Sequence, residues 1–468
     1  MLLMFLLLLG SVGAEASSSV MRSDPKGDYI ILNEVKIEGN LKTNSRIILR
    51  ELALHPGDTI FADKEEASLR KDRNKIINTN LFVTVDVVLQ RMPGQQANLL
   101  IHVTERWYLF PVPIFELADR NFNEWWYERG RDLRRTQYGI RVSHKNFRGR
   151  NEQFNALVQL GFTRKFELSY DVPYLDKVQK MGLNIDLSFS ENKSSAYQTI
   201  EHKLAYIKSE DIVRKRFHAG VGISRRNRFY MIHRAEFGYN YNQVIDTIAL
   251  LNPNYYLNGN TRQRYFQLSY GFSRDLRDAV AYPLHGSRLT VDINKSGLLP
   301  SDDINQLDIT ASYTKYTPLG KHFYFNNRFQ GKLSFPKYQA YANTRGLGYG
   351  QDFVRGYELY VIDGQSYLVS KSTLKKGLFK TQANVEKILP FKQFQTIPIA
   401  LYINLYFDMG YVNNYTYNPE NNFLSNKLLY GSGVGLDLVT FYNTVFRVDF
   451  SINKSLQKNI FFHFVKDI

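Results

Sequence analysis

The chain has 468 residues, and its 60 Lys and Arg outnumber its 44 Asp and Glu, for a formal net charge of +16. The lack of any cysteine excludes disulfides and thiolate metal sites, and a mean hydropathy of -0.35 excludes a bundle of membrane-spanning helices. The basic residues are dispersed, with no basic block and no nucleic-acid motif, so the excess charge reads as lumen wall, loops and lipid headgroup contacts.

Met1 to Leu9 is an apolar run, and Ala14-Glu15-Ala16 supplies small residues for cleavage, so residues 1–16 read as a secretory signal. Residues 17–28 are Ser-rich, end in Pro25, Gly27 and Asp28, and read as a linker. Residues 29–106 then form one small α+β domain. Ile30 to Gly39 alternates as a strand, and Asn44 to Ala53 has helical spacing, ended by Pro56-Gly57-Asp58. A second helix is predicted over Asp63 to Asn78. Leu81 to Leu89 and Ala97 to Glu105 are two strands joined by a turn at Pro93-Gly94. In this β-α-α-β-β order an edge strand has unpaired amides that an extended peptide can use. The same module also serves as a plain spacer.

From Trp107 to the end, helical periodicity gives way to runs of period two separated by Asn, Asp, Gly or Lys-rich turns. Ile185 to Phe189, Leu289 to Ile293 and Phe446 to Phe450 are examples. About seventeen candidate strands are present, and bacterial barrels take even numbers, so residues 107–468 predict a β-barrel of about sixteen strands. With 32 Tyr and 32 Phe the composition suits strands and interfacial aromatic girdles. β-Sandwiches and propellers also alternate, but a lumen accounts for the one face that carries Asp, Arg, Asn and Gln.

One stretch breaks the series. Residues 336–378 show no strand pattern, yet carry glycines at 346, 348, 350, 356 and 364 together with Arg355, Tyr357, Tyr360 and Tyr367. Disordered segments are poor in aromatics, so the stretch predicts an ordered loop packed inside the barrel. In Leu401 to Asp408, Asn404 and Asp408 share the polar face, and in Thr381 to Lys387 the polar face carries Gln382, Asn384 and Glu386. With apolar residues outward, Glu386 and Asp408 enter the lumen, within reach of a loop arginine. Arg355 is the candidate for that charge-assisted pairing.

Val354-Arg355-Gly356-Tyr357, followed by Phe407-Asp408-Met409-Gly410, resembles the paired signature of the BamA/TamA superfamily of outer-membrane proteins. Asp275-Leu276-Arg277-Asp278, with Pro283 and Gly286, resembles the motif that precedes a mid-barrel strand there, and residues 29–106 resemble one POTRA domain. The resemblance implies a sixteen-stranded barrel of the bacterial outer membrane whose Arg-Gly loop is pinned to acidic residues of the wall. It implies a periplasmic POTRA domain, and outer-membrane lipids, unfolded client polypeptides and accessory lipoproteins as partners. The implied function is assembly or translocation of client proteins, without enzymatic activity, cofactor, metal or nucleic acid. Alternatives are an exporter of the FhaC type and a passive channel or structural barrel. Ser372 to Lys375 matches S-x-x-K, but the segment does not read as the helix a serine acyl-enzyme needs.

Overall fold

The computed structural model describes residues 28–118, 122–128, 130–176, 178–209, 211–227, 230–280, 282–384, 396–416, 421–440 and 444–465. The signal and all but Asp28 of the linker expected above lie outside them, as does Glu386. No helix among the described residues is long and apolar enough to cross a membrane.

The small domain comprises β1 (Tyr29–Glu38), α1 (Ser45–Leu49), β2 (Thr59–Phe61), α2 (Glu65–Ile77), β3 (Phe82–Met92) and β4 (Gln96–Glu105). Its sheet runs β2-β1-β4-β3, with β1 parallel to β4. Leu32, Leu99 and Ile101 from the sheet bury Ile48 and Ile76 from the helices. Two details correct the sequence reading. α1 stops at Leu49 and the chain leaves it in tight turns (Leu52 N to Leu49 O, 3.2 Å), because the carboxylate of Asp72 takes the Ala53 and Leu54 amides. β2 is an added strand of three residues, too short to show a period, that pairs with the start of β1.

The rest forms one sixteen-stranded antiparallel sheet. In chain order it contains β5 (Leu109–Leu117), β6 (Thr136–Phe147), β7 (Glu152–Gly161), β8 (Thr163–Val172) and β9 (Met181–Asn192). A separate hairpin, β10 (Ser194–Ile200) and β11 (Lys203–Lys208), then interrupts it. The sheet resumes with β12 (Arg214–Asn227) and β13 (Met231–Val244), and after helix α3 (Asp246–Leu251) with β14 (Arg262–Asp275), β15 (Gly286–Ser296), β16 (Gln306–Gly320) and β17 (Phe323–Phe335). It ends with β18 (Ser366–Asn384), β19 (Thr396–Asn413), β20 (Leu428–Thr440), β21 (Thr444–Asn453) and β22 (Lys458–Val465). The strand period sets the two faces: Ile403, Leu405 and Phe407 are exposed on the outside, while Asn404, Tyr406 and Asp408 are buried within.

β18 corrects the predicted loop, which ends at Gln365 and not at residue 378. Strand β18 hides its period because Ser370 and Ser372 dilute its outer face and Tyr367 and Val369 make part of its inner face apolar. The same strand separates Ser372 and Lys375 onto opposite faces.

The small domain is fastened to the near rim of the barrel. Arg226 of β12 donates two hydrogen bonds, 2.7 and 2.9 Å, to the buried carboxylate of Glu51. Tyr174 joins the small domain's own core, with the Arg50 guanidinium 3.9 Å above its ring. Asn146 donates to Thr43 Oγ1 at 2.9 Å, and the Asn44 amide to Gly149 O at 2.9 Å.

Candidate functional site

Loop 336–365 leaves β17 at the far rim and folds back into the lumen. A clasp between Leu347 and Ile362 closes it on itself (3.1 and 2.8 Å), and Leu347, Val354, Tyr357 and Ile362 pack with Val369, Val412 and Leu429 of the wall. Apolar packing therefore brings Arg355 to the wall. Its Nε donates to Asp408 Oδ2 at 2.8 Å, one terminal nitrogen donates to Asp408 Oδ1 at 2.6 Å, and its backbone amide adds a 3.1 Å bond. The same terminal nitrogen donates to Thr373 Oγ1 at 2.9 Å, and the guanidinium lies 3.8 Å over the ring of Tyr406. Asp408 is fully buried and Arg355 nearly so, so neither charge has water as an alternative partner.

Backbone contacts complete the grip. Gly356, at φ +95°, presents its carbonyl to Asn453 Nδ2 at 3.0 Å, and its amide donates to Glu358 Oε2 at 2.7 Å. A Cβ at Gly410 would press on Val354, and one at Gly431 would collide with the Arg355 carbonyl oxygen. Phe353 stacks on His463, 6.1 Å between ring centres, so the loop touches every strand from β18 to β22. Of the residues singled out in the sequence, Arg355, Gly356, Tyr357, Asp408 and Gly410 come together here. Thr373, Tyr406, Glu358, Asn453 and Gly431 join them without any local signal.

Burial pushes the Glu358 carboxyl up to about 8. At the far rim His202 holds three connections together. Its Nε2 accepts from the Leu424 amide (2.7 Å), which leaves Nδ1 protonated and donating to Val361 O (3.1 Å). Burial lowers this imidazole to about 4, so it stays neutral.

The sheet's two end strands behave differently. No pairing between β5 and β22 occurs among the described residues. The Lys145 amide bonds Tyr108 O and the Ala118 amide bonds Arg135 O, so even-numbered residues of β5 hydrogen-bond to β6. Leu109, Pro111, Pro113, Phe115 and Leu117 therefore turn their backbone toward the seam, and two of these five lack an N–H. By the same alternation, the pair Asn453 and Gln457 turns residues 458, 460, 462 and 464 of β22 toward the seam. One of those carbonyls, Ile460 O, accepts from Asn123 Nδ2 at 2.9 Å. Asn123 belongs to an aromatic turn in which Phe122 stacks on Trp126 and Trp125 packs at a tilt against both.

A family model described as the Omp85 superfamily domain matches residues 146–463. The chain belongs to the Omp85 superfamily. A second model, POTRA, described as surface antigen variable number repeat, matches residues 30–106. Among solved structures this Omp85 protein is similar to BamA from Haemophilus ducreyi lacking POTRA domains 1-3, with a TM-score of 0.52 and 14% identity over 93% of this chain and 84% of that one. It is also similar to CdiB from Escherichia coli, with a TM-score of 0.55 and 12% identity over 93% of this chain and 75% of that one. These likenesses describe the fold. No curated sequence relative matches the chain. Omp85 proteins are β-barrels of the bacterial outer membrane.

The motif at residues 275–286 lies away from the Arg355 pair, in the near-rim turn between β14 and β15. Arg277 grips Asp275 with both Nε (2.8 Å) and a terminal nitrogen (2.5 Å). Asp278 Oδ1 accepts the amides of Ala279, Leu284 and His285. Gly286 sits at φ +103°, where a Cβ would strike the Leu276 carbonyl, and Pro283 is buried beside it. The result is a rigid turn that sends Tyr282 across to Asp437 of β20 at 2.6 Å, where Arg447 also pairs at 2.6 Å. In this Omp85 barrel, loop 336–365 enters the lumen from the far rim and Tyr282 from the near one.

Proposed function

We propose that this Omp85 protein assembles or translocates client polypeptides at the outer membrane, with its POTRA domain in the periplasm receiving an extended client segment. The observation that carries the reading is the seam between β5 and β22, where two strand edges meet without pairing and hydrocarbon offers no substitute partner. Its edges are unequal. β5 has lost two donors to Pro111 and Pro113, whereas the β22 edge carries a full set of N–H groups and is held at Ile460 by one side-chain bond. A client strand gains most by adding to β22. That restriction favours a dedicated client over general insertion.

In the POTRA domain the receiving edge is β3, the outer strand of its sheet. Arg73 Nε already takes Val85 O at 2.9 Å, which leaves Val87 to Met92 for a client. The orientation is supported by the loop lengths: the longest connections, 336–365 and 193–213, lie at the rim opposite the POTRA domain, as surface loops do in outer-membrane barrels. A passive channel fits poorly with a lumen entered by packed segments from both rims.

The test is quantitative outer-membrane and secreted proteomics after depleting the protein. Loss of one or two proteins is the expected result, and loss of a single secreted protein would identify an exporter of the FhaC type. Broad loss of β-barrels would replace the dedicated role by general insertion, and an unchanged proteome would reject client assembly.

A further inference from the structure

Away from the Arg355 lock, a cavity of about 330 Å³ lies inside the far rim, between the start of β12, hairpin β10–β11 and loop 336–365. Arg214 and Arg216 face into it, because Phe217 on the adjoining position faces out, and Arg345 enters from the loop. Among the described residues no carboxylate lies within ion-pairing distance of these three arginines. Elsewhere in the lumen Arg355 holds Asp408, Arg447 holds Asp437 and Arg277 holds Asp275. Arg214 Nε and the deeply buried hydroxyl of Ser194, which lines the same cavity, have no hydrogen-bond partner within the protein. Tyr255 and Tyr341 present rings to the cavity, beside the polar side chains of Asn192 and Thr163 and the guanidinium of Arg135.

Three like charges lining one cavity repel one another, and buried donors without a partner, as Arg214 Nε and Ser194 Oγ are, are costly. A bound anion relieves both. A carboxylate offers two oxygens, whereas a phosphate monoester offers three terminal oxygens and close to two charges, which matches three guanidinium forks and a hydroxyl. The remaining volume and the tyrosine rings suit a small polar carrier of about sugar size.

We propose that this cavity is a binding site for a phosphate monoester on a small polar carrier, held by Arg214, Arg216 and Arg345. The site is independent of what passes through the barrel. The carrier is either a free phosphorylated compound or the headgroup of a surface lipid.

The test is calorimetric titration of the full chain in detergent with inorganic phosphate and with glucose 1-phosphate, at ionic strength held constant with chloride. Saturable one-to-one binding is expected, weaker by about tenfold or more in Arg216→Gln and in Arg345→Gln, since each removes a charge-assisted bond. Arg345→Lys, a loop change that keeps the charge and loses the fork, is expected to weaken binding while leaving the barrel's heat stability intact. Tighter binding of glucose 1-phosphate than of phosphate assigns the site to free phosphorylated compounds. Detectable protection of the full chain only in nanodiscs containing phosphatidic acid, lost in the same variants, assigns it to a lipid headgroup. Non-saturable binding, equal effects of chloride, or variants that bind as the parent does would overturn the proposal.

Discussion

The last strand of the barrel has two neighbours, and they are built to opposite specifications. On one side β22 belongs to a wall of five strands, β18 to β22, paired along its length and gripped from within by loop 336–365 through Arg355, Gly356 and Phe353. On the other side it faces β5, where prolines at 111 and 113 remove donors and, among the described residues, Asn123 reaches across to Ile460. The contrast locates motion: a force that opens the barrel parts the seam long before it peels the wall, because the wall must expose a buried ion pair to yield.

The sharpest way to break this contrast is at the lock. Arg355→Ala strands a fully buried Asp408, and breaking one side of such a pair costs about 3 to 5 kcal/mol. The barrel's heat-induced mobility shift in gels is expected at a clearly lower temperature than in the parent. If Arg355→Ala left the shift unchanged, the wall would not be held by the loop. Asp408→Asn in the same background is expected to add little, since the partner is already gone.

A smaller effect sharpens the comparison through pH. Burial raises the folded Glu358 carboxyl to about 8 from the ordinary 4.5. Between those values the unfolded chain has released a proton that the folded loop retains, so stability falls as pH rises through the window and levels off above it. The unfolding temperature of the parent is expected to drop from pH 5 to pH 8.5 more than that of Glu358→Gln. Equal drops would show that Glu358 does not set the loop's pH response.

The wall was largely legible in the sequence and the seam was not. Alternation in Leu401 to Asp408 is strict, so the face carrying Asp408 followed from period two, and the aromatic, glycine-rich run around Arg355 stood out against it. β18 escaped because serines face lipid and lysines, a valine and a tyrosine face the lumen, which cancels the period. Thr373, Tyr406 and Asn453 come from three different strands and meet Arg355 only once the register is set. The seam depends on which backbone edge of β5 faces outward, a property fixed by the Lys145 to Tyr108 bond and not by any local pattern. Pro111 and Pro113 were visible as residues, but the side to which they deny a donor was not.

The central claim is that function passes through the β22 edge. The chain has no cysteine, so Tyr127→Cys and Phe462→Cys, both well exposed and lining one groove beside that edge, can be joined cleanly by a short bis-maleimide. The account predicts that the joined protein folds normally yet no longer supports the proteins that depletion removes, while each single cysteine carrying the same reagent does. Full support from the joined form would contradict it.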